Sequence, residues 1–279
     1  MKAMQIRPPA VCGLFYPADP TLLTLTVDRL LEDQPERELP GRPLALVSPH
    51  AGYAYSGPTA AAAYALLRRR PFRTAVIISP SHREYFNGIS VYNGDAYRTP
   101  LGLINVDVEL REQLLAHKGV IVSSPLGHRD EHAVEVQLPF IQRINPEAKV
   151  LPIVMGDQRI EYCQILTHAL ADLLTPDCIL IASSDLSHFH TQGDALQRDR
   201  IIAEDIQGLK PMLLLEDLQS RKGEACGGGP IAVVMAAALA LGADHGTILH
   251  QCTSGDMTGD TASVVGYLSA AFTSSGHTT

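Results

Sequence analysis

Histidine, cysteine and acidic side chains gather at a few places in this sequence, most of them just beyond a short apolar run. Leu44–Val47 leads into Ser48-Pro49-His50, and Ala75–Ile78 leads into Ser79-Pro80-Ser81-His82. Ile179–Ile181 precedes Ser183-Ser184-Asp185-Leu186-Ser187-His188, and Val120–Val122 precedes Ser123-Ser124-Pro125-Leu126-Gly127-His128. A single loop histidine is ordinarily a hydrogen-bonded or solvated structural residue. Four of them behind strand-like runs, with Asp185 close to His188 and Glu131 beside His132, point instead to a shared site, because open α/β sheets bind ligands beyond the carboxyl ends of their strands. His117, His168, His190, His245, His250 and His277 lack that placement and are read as structural or solvated.

A second element is Glu224-Ala225-Cys226-Gly227-Gly228-Gly229-Pro230, a glycine-rich turn that opens an alanine-rich helix over Pro230–Leu241. The positive end of that helix is expected to lower the Cys226 thiol pKa, which makes Cys226 the best thiolate ligand or nucleophile among the five cysteines. A third is Arg129-Asp130-Glu131-His132-Ala133-Val134-Glu135-Val136-Gln137. A helix there puts Glu131 and Glu135 on one face with His132 beside them, placed to complement the helix dipole or to orient ligands and move protons. Tyr53 and Tyr55 are pocket walls or packed tyrosines.

Two neutral imidazoles with a thiolate or carboxylate make a three-ligand metal site with open positions. Asp185 as third donor gives the two-histidine, one-carboxylate set of Fe(II) oxygenases, whereas Cys226 shifts the preference toward Zn, Cu or a softer iron environment. Without a metal, the same residues suit a Cys-His hydrolase or transferase: Cys226 as nucleophile, His188 or His50 as base, Asp185 as orienting acid. No GxSxG elbow, P-loop, HExxH or GxGxxG before a helix is present to favour the better-marked hydrolase and nucleotide readings.

The elements that position these residues follow from periodicity. Val- and Ile-rich runs alternate with helical patterns from Leu44 onward, which predicts βα units and a largely parallel or mixed sheet covered on both faces. The charged, proline-rich stretch 32–43 reads as a linker after an N-terminal helix, and 274–279 as a tail on one domain spanning 1–279. The 279 residues carry a net charge of −8 and a single short basic run at Arg68–Arg70, which argues against a nucleic-acid partner. Prolines interrupt the N-terminus where a signal peptide needs its apolar run, and five widely spaced cysteines without CxxC suit a reducing, cytoplasmic setting. The uncharged stretch Ala225–Ala243 is broken by glycines and Pro230, so it reads as a buried helix rather than a membrane span.

Taken together, Pro49-His50-Ala51-Gly52-Tyr53, Pro80-Ser81-His82, Glu131-His132-x-x-Glu135-x-x-Leu138-Pro139, Ser183-Ser184-Asp185-x-x-His188 and Cys226-Gly227-x-x-Pro230 resemble the Memo family, also called AmmeMemoRadiSam system protein B. The likeness runs from Phe15-Tyr16-Pro17-Ala18-Asp19 to Val264–Phe272. It implies a three-layer αβα fold like that of the catalytic chain of class III extradiol ring-cleaving dioxygenases. It also implies a metal held by His50, His82 and Cys226, with Asp185, His188 and His132 as catalytic groups around it. Gly228 and Gly229 stand where family members often carry Arg, and Cys226 replaces the Glu ligand of the dioxygenases. The functional expectation is a mononuclear Fe or Cu site, with Zn compatible, performing dioxygenase-like redox chemistry on an unidentified small substrate. A non-catalytic peptide- or anion-binding module using a vestigial pocket is the alternative, and the resemblance further implies association with radical-SAM and AMMECR1-like proteins.

Overall fold

The structure, a computed structural model, describes residues 3–117 and 119–276, so His277 and the end of the expected tail lie outside the described residues. The strands are β1 (Ile6–Arg7), β2 (Arg42–Ser48), β3 (Thr74–Pro80), β4 (Ile89–Tyr92), β5 (Ala96–Thr99), β6 (Gly102–Asn105), β7 (Ile121–Ser124), β8 (Lys149–Met155), β9 (Cys178–Ser183), β10 (His188–His190), β11 (His245–Thr253) and β12 (Val264–Ser274). The helices are α1 (Pro20–Glu32), α2 (Tyr53–Tyr64), α3 (Val108–Leu115), α4 (Leu138–Ile144), α5 (Ile160–Leu173), α6 (Gln192–Gln207), α7 (Pro211–Gln219), α8 (Gly228–Ala240) and the short α9 (Ser254–Thr258).

Alternate apolar residues along each central strand face opposite ways, as the two-residue period of a pleated sheet requires. Val76 and Ile78 of β3, with Leu180 and Ala182 of β9, enter one core with α3, α5, α6, α7 and α8. Ala75 and Ile77, with Ile179 and Ile181, enter a second core on the other face with α1, α2 and α4. The result is the expected three-layer α/β arrangement. Its main sheet runs β10-β12-β2-β9-β3-β8-β4-β7, with β11 paired to β12. Neighbours in the central four, β2-β9-β3-β8, are parallel, whereas β12 is antiparallel to β2 and β4 antiparallel to β8. The sheet is therefore mixed, with its parallel part in the middle. The buried alanine-rich α8 packs on that part, and no helix among the described residues is long and apolar enough to cross a membrane.

One local reading changes. Residues 132–144 do not form one helix: the chain is irregular at Glu131 and His132, turns, passes through a 3-10 turn at Glu135–Gln137, and becomes helical at α4. The Glu131 carboxylate accepts the His132 and Ala133 N–H groups, fixing this turn before the helix begins. Glu131 and Glu135 consequently serve different places. The region after His82, which carries only a weak pattern, folds into β4, the β5–β6 hairpin and α3, with β1 paired to β5. At the C-terminal end, Ser274 still belongs to β12, opposite Arg42.

Glu135, fully buried, gathers the N-terminal segment. It accepts the N–H groups of Ala10 at 2.7 Å and Val11 at 3.1 Å, receives the Tyr16 hydroxyl, and pairs with Arg7. Arg7, only 3% exposed, also donates to the backbone carbonyls of His128 and Glu131. Residues 7–16 thereby form a strap over the loop that carries His132. Removing one partner of a buried ion pair leaves the other uncompensated, so Arg7→Met is expected to lower the unfolding free energy by about 3–5 kcal/mol. Adding Glu135→Gln is expected to restore part of the loss; urea denaturation of the single and double variants checks both.

Candidate metal centre

β2, β9 and β3 are adjacent and parallel, so their carboxyl ends bring His50, Asp185 and His82 to one edge of the sheet. His50 is held from two sides. Its backbone N–H donates to Asp185 Oδ1 at 2.7 Å, and its ring Nδ1 lies 3.0 Å from Ser183 Oγ. The tautomer follows from the network behind it. Ser183 Oγ donates its one proton to Ala133 O at 2.6 Å and accepts from Gln137 Nε2 at 2.8 Å. Gln137 is itself oriented, since Nε2 also donates to Pro49 O and Oε1 accepts from the Tyr64 hydroxyl. His50 Nδ1 must therefore carry the hydrogen and Nε2 the free lone pair. Burial first, then the neighbouring His82 and His132, hold the His50 pKa well below its usual value, so the ring is neutral as metal ligation requires.

His82 and His132 share one carboxylate. Glu131, 2% exposed, accepts the backbone N–H of His82 at 2.6 Å, and its other oxygen lies 3.0 Å from His82 Nδ1. His132 Nδ1 sits 3.0 Å from that same oxygen, off the line of a hydrogen bond. Burial alone would raise the Glu131 carboxyl, but the adjoining His132 and His82 rings and the His82 backbone N–H outweigh it and hold the group far below the usual range. An ionised carboxylate only accepts, so His82 Nδ1 is the donor and its Nε2 is left free. The three rings form a near-equilateral cluster, with centroids 4.7 Å apart for His82 and His132, 5.0 Å for His50 and His82, and 5.2 Å for His50 and His132. One ring nitrogen from each lies within 4.8 Å of the others, a group that could hold a metal ion. Phe15 from the N-terminal strap packs its ring 4.9 Å from that of His132.

Cys226 Sγ lies 3.2 Å from His50 Nε2 and accepts the Asp185 N–H at 3.3 Å. The turn is pressed onto the end of β9: a Cβ at Gly227 would come within 2.5 Å of Ser183 O, so glycine here serves close packing. The expected lowering of the thiol pKa is reversed. Burial, reinforced by Asp185, pushes it up, because the thiol loses water while facing a carboxylate. Gln158, just past the end of β8, donates to Cys226 O and accepts from Gly229 N, each at 2.8 Å. Neither Gln137 nor Gln158 stands out in the sequence; the one available signal is that Gln158 follows the fourth parallel strand.

Of the four histidines placed behind strand-like runs, His50 and His82 meet, and His188 stands beside them. Its ring is close enough to bear electrostatically on both His50 and Asp185, while its backbone N–H donates to Glu224 Oε1 at 3.0 Å. His128 goes elsewhere. β7 runs antiparallel to the central four strands, so its carboxyl end lies away from the shared edge. His128 is instead 1% exposed, between the Tyr97 hydroxyl and Ser90 O, with burial pushing its pKa down to about 3. His132, read as a catalytic group, stands inside the three-imidazole cluster. Tyr53 packs and donates to Val136 O, while Tyr55 is 44% exposed.

A three-layer α/β protein with a histidine-rich candidate metal centre on the carboxyl edge of its parallel strands is the class that fold and site define. The chain belongs to the Memo family: the model of Memo-like proteins matches residues 7–271. It is 36% identical to a MEMO1 family protein of Methanobrevibacter smithii over 96% of this chain and 99% of that one. It is 38% identical to one from Methanosarcina mazei, and 37% to one from Thermotoga maritima, each over 95% of this chain and 98% of the relative. A solved structure, the uncharacterized protein JW3007 of Escherichia coli K12, shares the fold with a TM-score of 0.52 at 14% identity, covering 83% of this chain and all of that one.

Two outcomes follow from the groups behind the rings. Glu131→Gln keeps the shape but removes the charge that orients His82 and His132, and metal affinity in chelator competition should fall about 10–100-fold. Asp199 of α6, fully buried, accepts the Ser187 N–H at 3.0 Å, and burial raises its carboxyl to about 6. With the folded pKa above the unfolded value of about 3.9, this group favours folding more as pH falls. It should add about 1–1.5 kcal/mol between about pH 7.5 and about pH 5. Comparing denaturation of the wild type and Asp199→Asn across that range isolates the contribution.

Proposed function

We propose that the protein binds a single iron or copper ion at this centre and carries out dioxygenase-like oxidation of a small substrate. His50, His82 and Cys226 are the metal donors in this reading, with His132 completing the imidazole cluster. The observation that carries the proposal is the orientation of the ring nitrogens: Ser183 and Glu131 occupy the Nδ1 positions of His50 and His82, leaving their Nε2 lone pairs for a cation. The donor set fits such an ion, since imidazoles and a thiol suit iron and copper, and a coordinated thiol gives up its proton despite burial. When bound, the metal supplies the electron-transfer chemistry that no side chain here provides.

The protein's own groups do the rest. Asp185 uses one oxygen to fix His50, while its other oxygen has no hydrogen bond among the described residues and is available to hold or release a proton. His188, anchored through Glu224, is the second proton-carrying group on the same edge. Phe15 shields His132 and limits water on that side.

Anaerobic reconstitution with Fe(II) or Cu, followed by elemental analysis and absorption spectroscopy, tests the reading. The wild type should retain about one ion per chain with a thiolate-to-metal band. His50→Ala and His82→Ala should lose the ion, Cys226→Ser should lose the band, and Asp185→Asn and His188→Ala should keep the metal. Full occupancy in both His50→Ala and His82→Ala would reject the centre; His132→Ala reports whether the third imidazole is a donor.

A further inference from the structure

Beside the Cys226 turn, and lined by none of the three imidazoles, lies an open cleft of about 850 Å³. That is the size of a small-molecule site. Its apolar surface comes from Ile160 of α5, Leu215 and Leu218 of α7, and Ala225. Three guanidinium groups stand around it, and they differ. Arg159 is already paired with Asp157 and lies over the Tyr162 ring. Arg198 of α6 and Arg221, just after α7, make no ion pair among the described residues. Arg198 Nη1 donates to Arg221 O at 3.0 Å, which ties the two arginine-bearing segments together. Arg221 is held at a φ of +59°, a left-handed conformation that a long side chain adopts at a cost. The acids lining the cleft are Glu161 and Glu224, and Glu224 is engaged by the His190 ring at 2.7 Å.

We propose that this cleft binds a small organic oxyanion with an apolar body, a carboxylate or a phosphate monoester, at a site separate from the metal centre. Arg198 and Arg221 take the charged end, since a guanidinium matches two oxygens of either group. Ile160, Leu215 and Leu218 take the body. The site adjoins the centre through its walls. Gln158, which lines the cleft, bonds the Cys226 carbonyl, and Glu224, which also lines it, bonds the His188 N–H. A ligand in the cleft therefore touches groups that hold Cys226 and His188.

Calorimetric titration with hexanoate and hexyl phosphate, with acetate and inorganic phosphate as anions lacking the body, tests the inference. It is run on metal-free and metal-loaded protein, so its outcome does not depend on the metal assignment. At least one hexyl probe should bind saturably and at least about tenfold more tightly than its short counterpart, the carboxylate and phosphate arms telling the two sources apart. Arg198→Ala and Arg221→Ala should each weaken that binding about tenfold, and Arg198→Lys and Arg221→Lys, which keep the charge but lose the planar fork, should do so by less. Arg221 is exposed and Arg198 half-buried, and circular dichroism checks that the variants remain folded. Absence of binding by all four probes, equal affinity for long and short anions, or unchanged affinity in the Arg198→Ala/Arg221→Ala double variant would overturn the proposal.

Discussion

The buried carboxylate of Glu131 is the interaction on which the candidate centre depends. A charge removed from water is stable only if surrounded by donors, and Glu131 finds them in the His82, His132 and Ala133 backbone N–H groups and the His82 imidazole, with the His132 ring 3.0 Å away. The same contacts that stabilise the carboxylate orient the rings. Electrostatics of burial and preparation for a cation are thus one arrangement. Arg7 reaches the carbonyl of Glu131 from the other side, so the N-terminal strap and the imidazole cluster are mechanically joined.

The parallel core supplies the second constraint. Because β2, β9 and β3 are neighbours running the same way, three loops distant in sequence must end within reach of one another. The thiol arrives differently, on the turn that opens α8, and fits only because Gly227 lets that turn rest against the end of β9. Burial then raises the thiol pKa more than the helix terminus lowers it. A buried thiol of this kind is a weak acid until a cation replaces its proton, and so is better suited to coordination than to free nucleophilic attack.

Much of this was legible in the residues. The Val- and Ile-rich runs of β2, β3, β8 and β9 announce buried parallel strands, and the polar ends of β2, β3 and β9 locate the site. Strand direction was not legible. His128 follows an apolar run just as His50 does, yet β7 is antiparallel to the core and carries it into a packed position. Nor was the turn at 131–134, since its helical spacing is overridden by a carboxylate binding its own following N–H groups. Gln137 and Gln158 carry no pattern because each acts through a backbone or hydroxyl partner that only tertiary structure supplies.

The distribution of the donors along the chain has a consequence for biosynthesis. Imidazoles at positions 50, 82 and 132 emerge from the ribosome well before the thiol at 226, and β12, which flanks β2, comes later still. No nascent fragment that stops short of Cys226 can bring all four candidate groups together. The complete candidate pocket thus forms only once most of the chain has been synthesised, whereas its three imidazoles are all present in the chain once residue 132 has emerged.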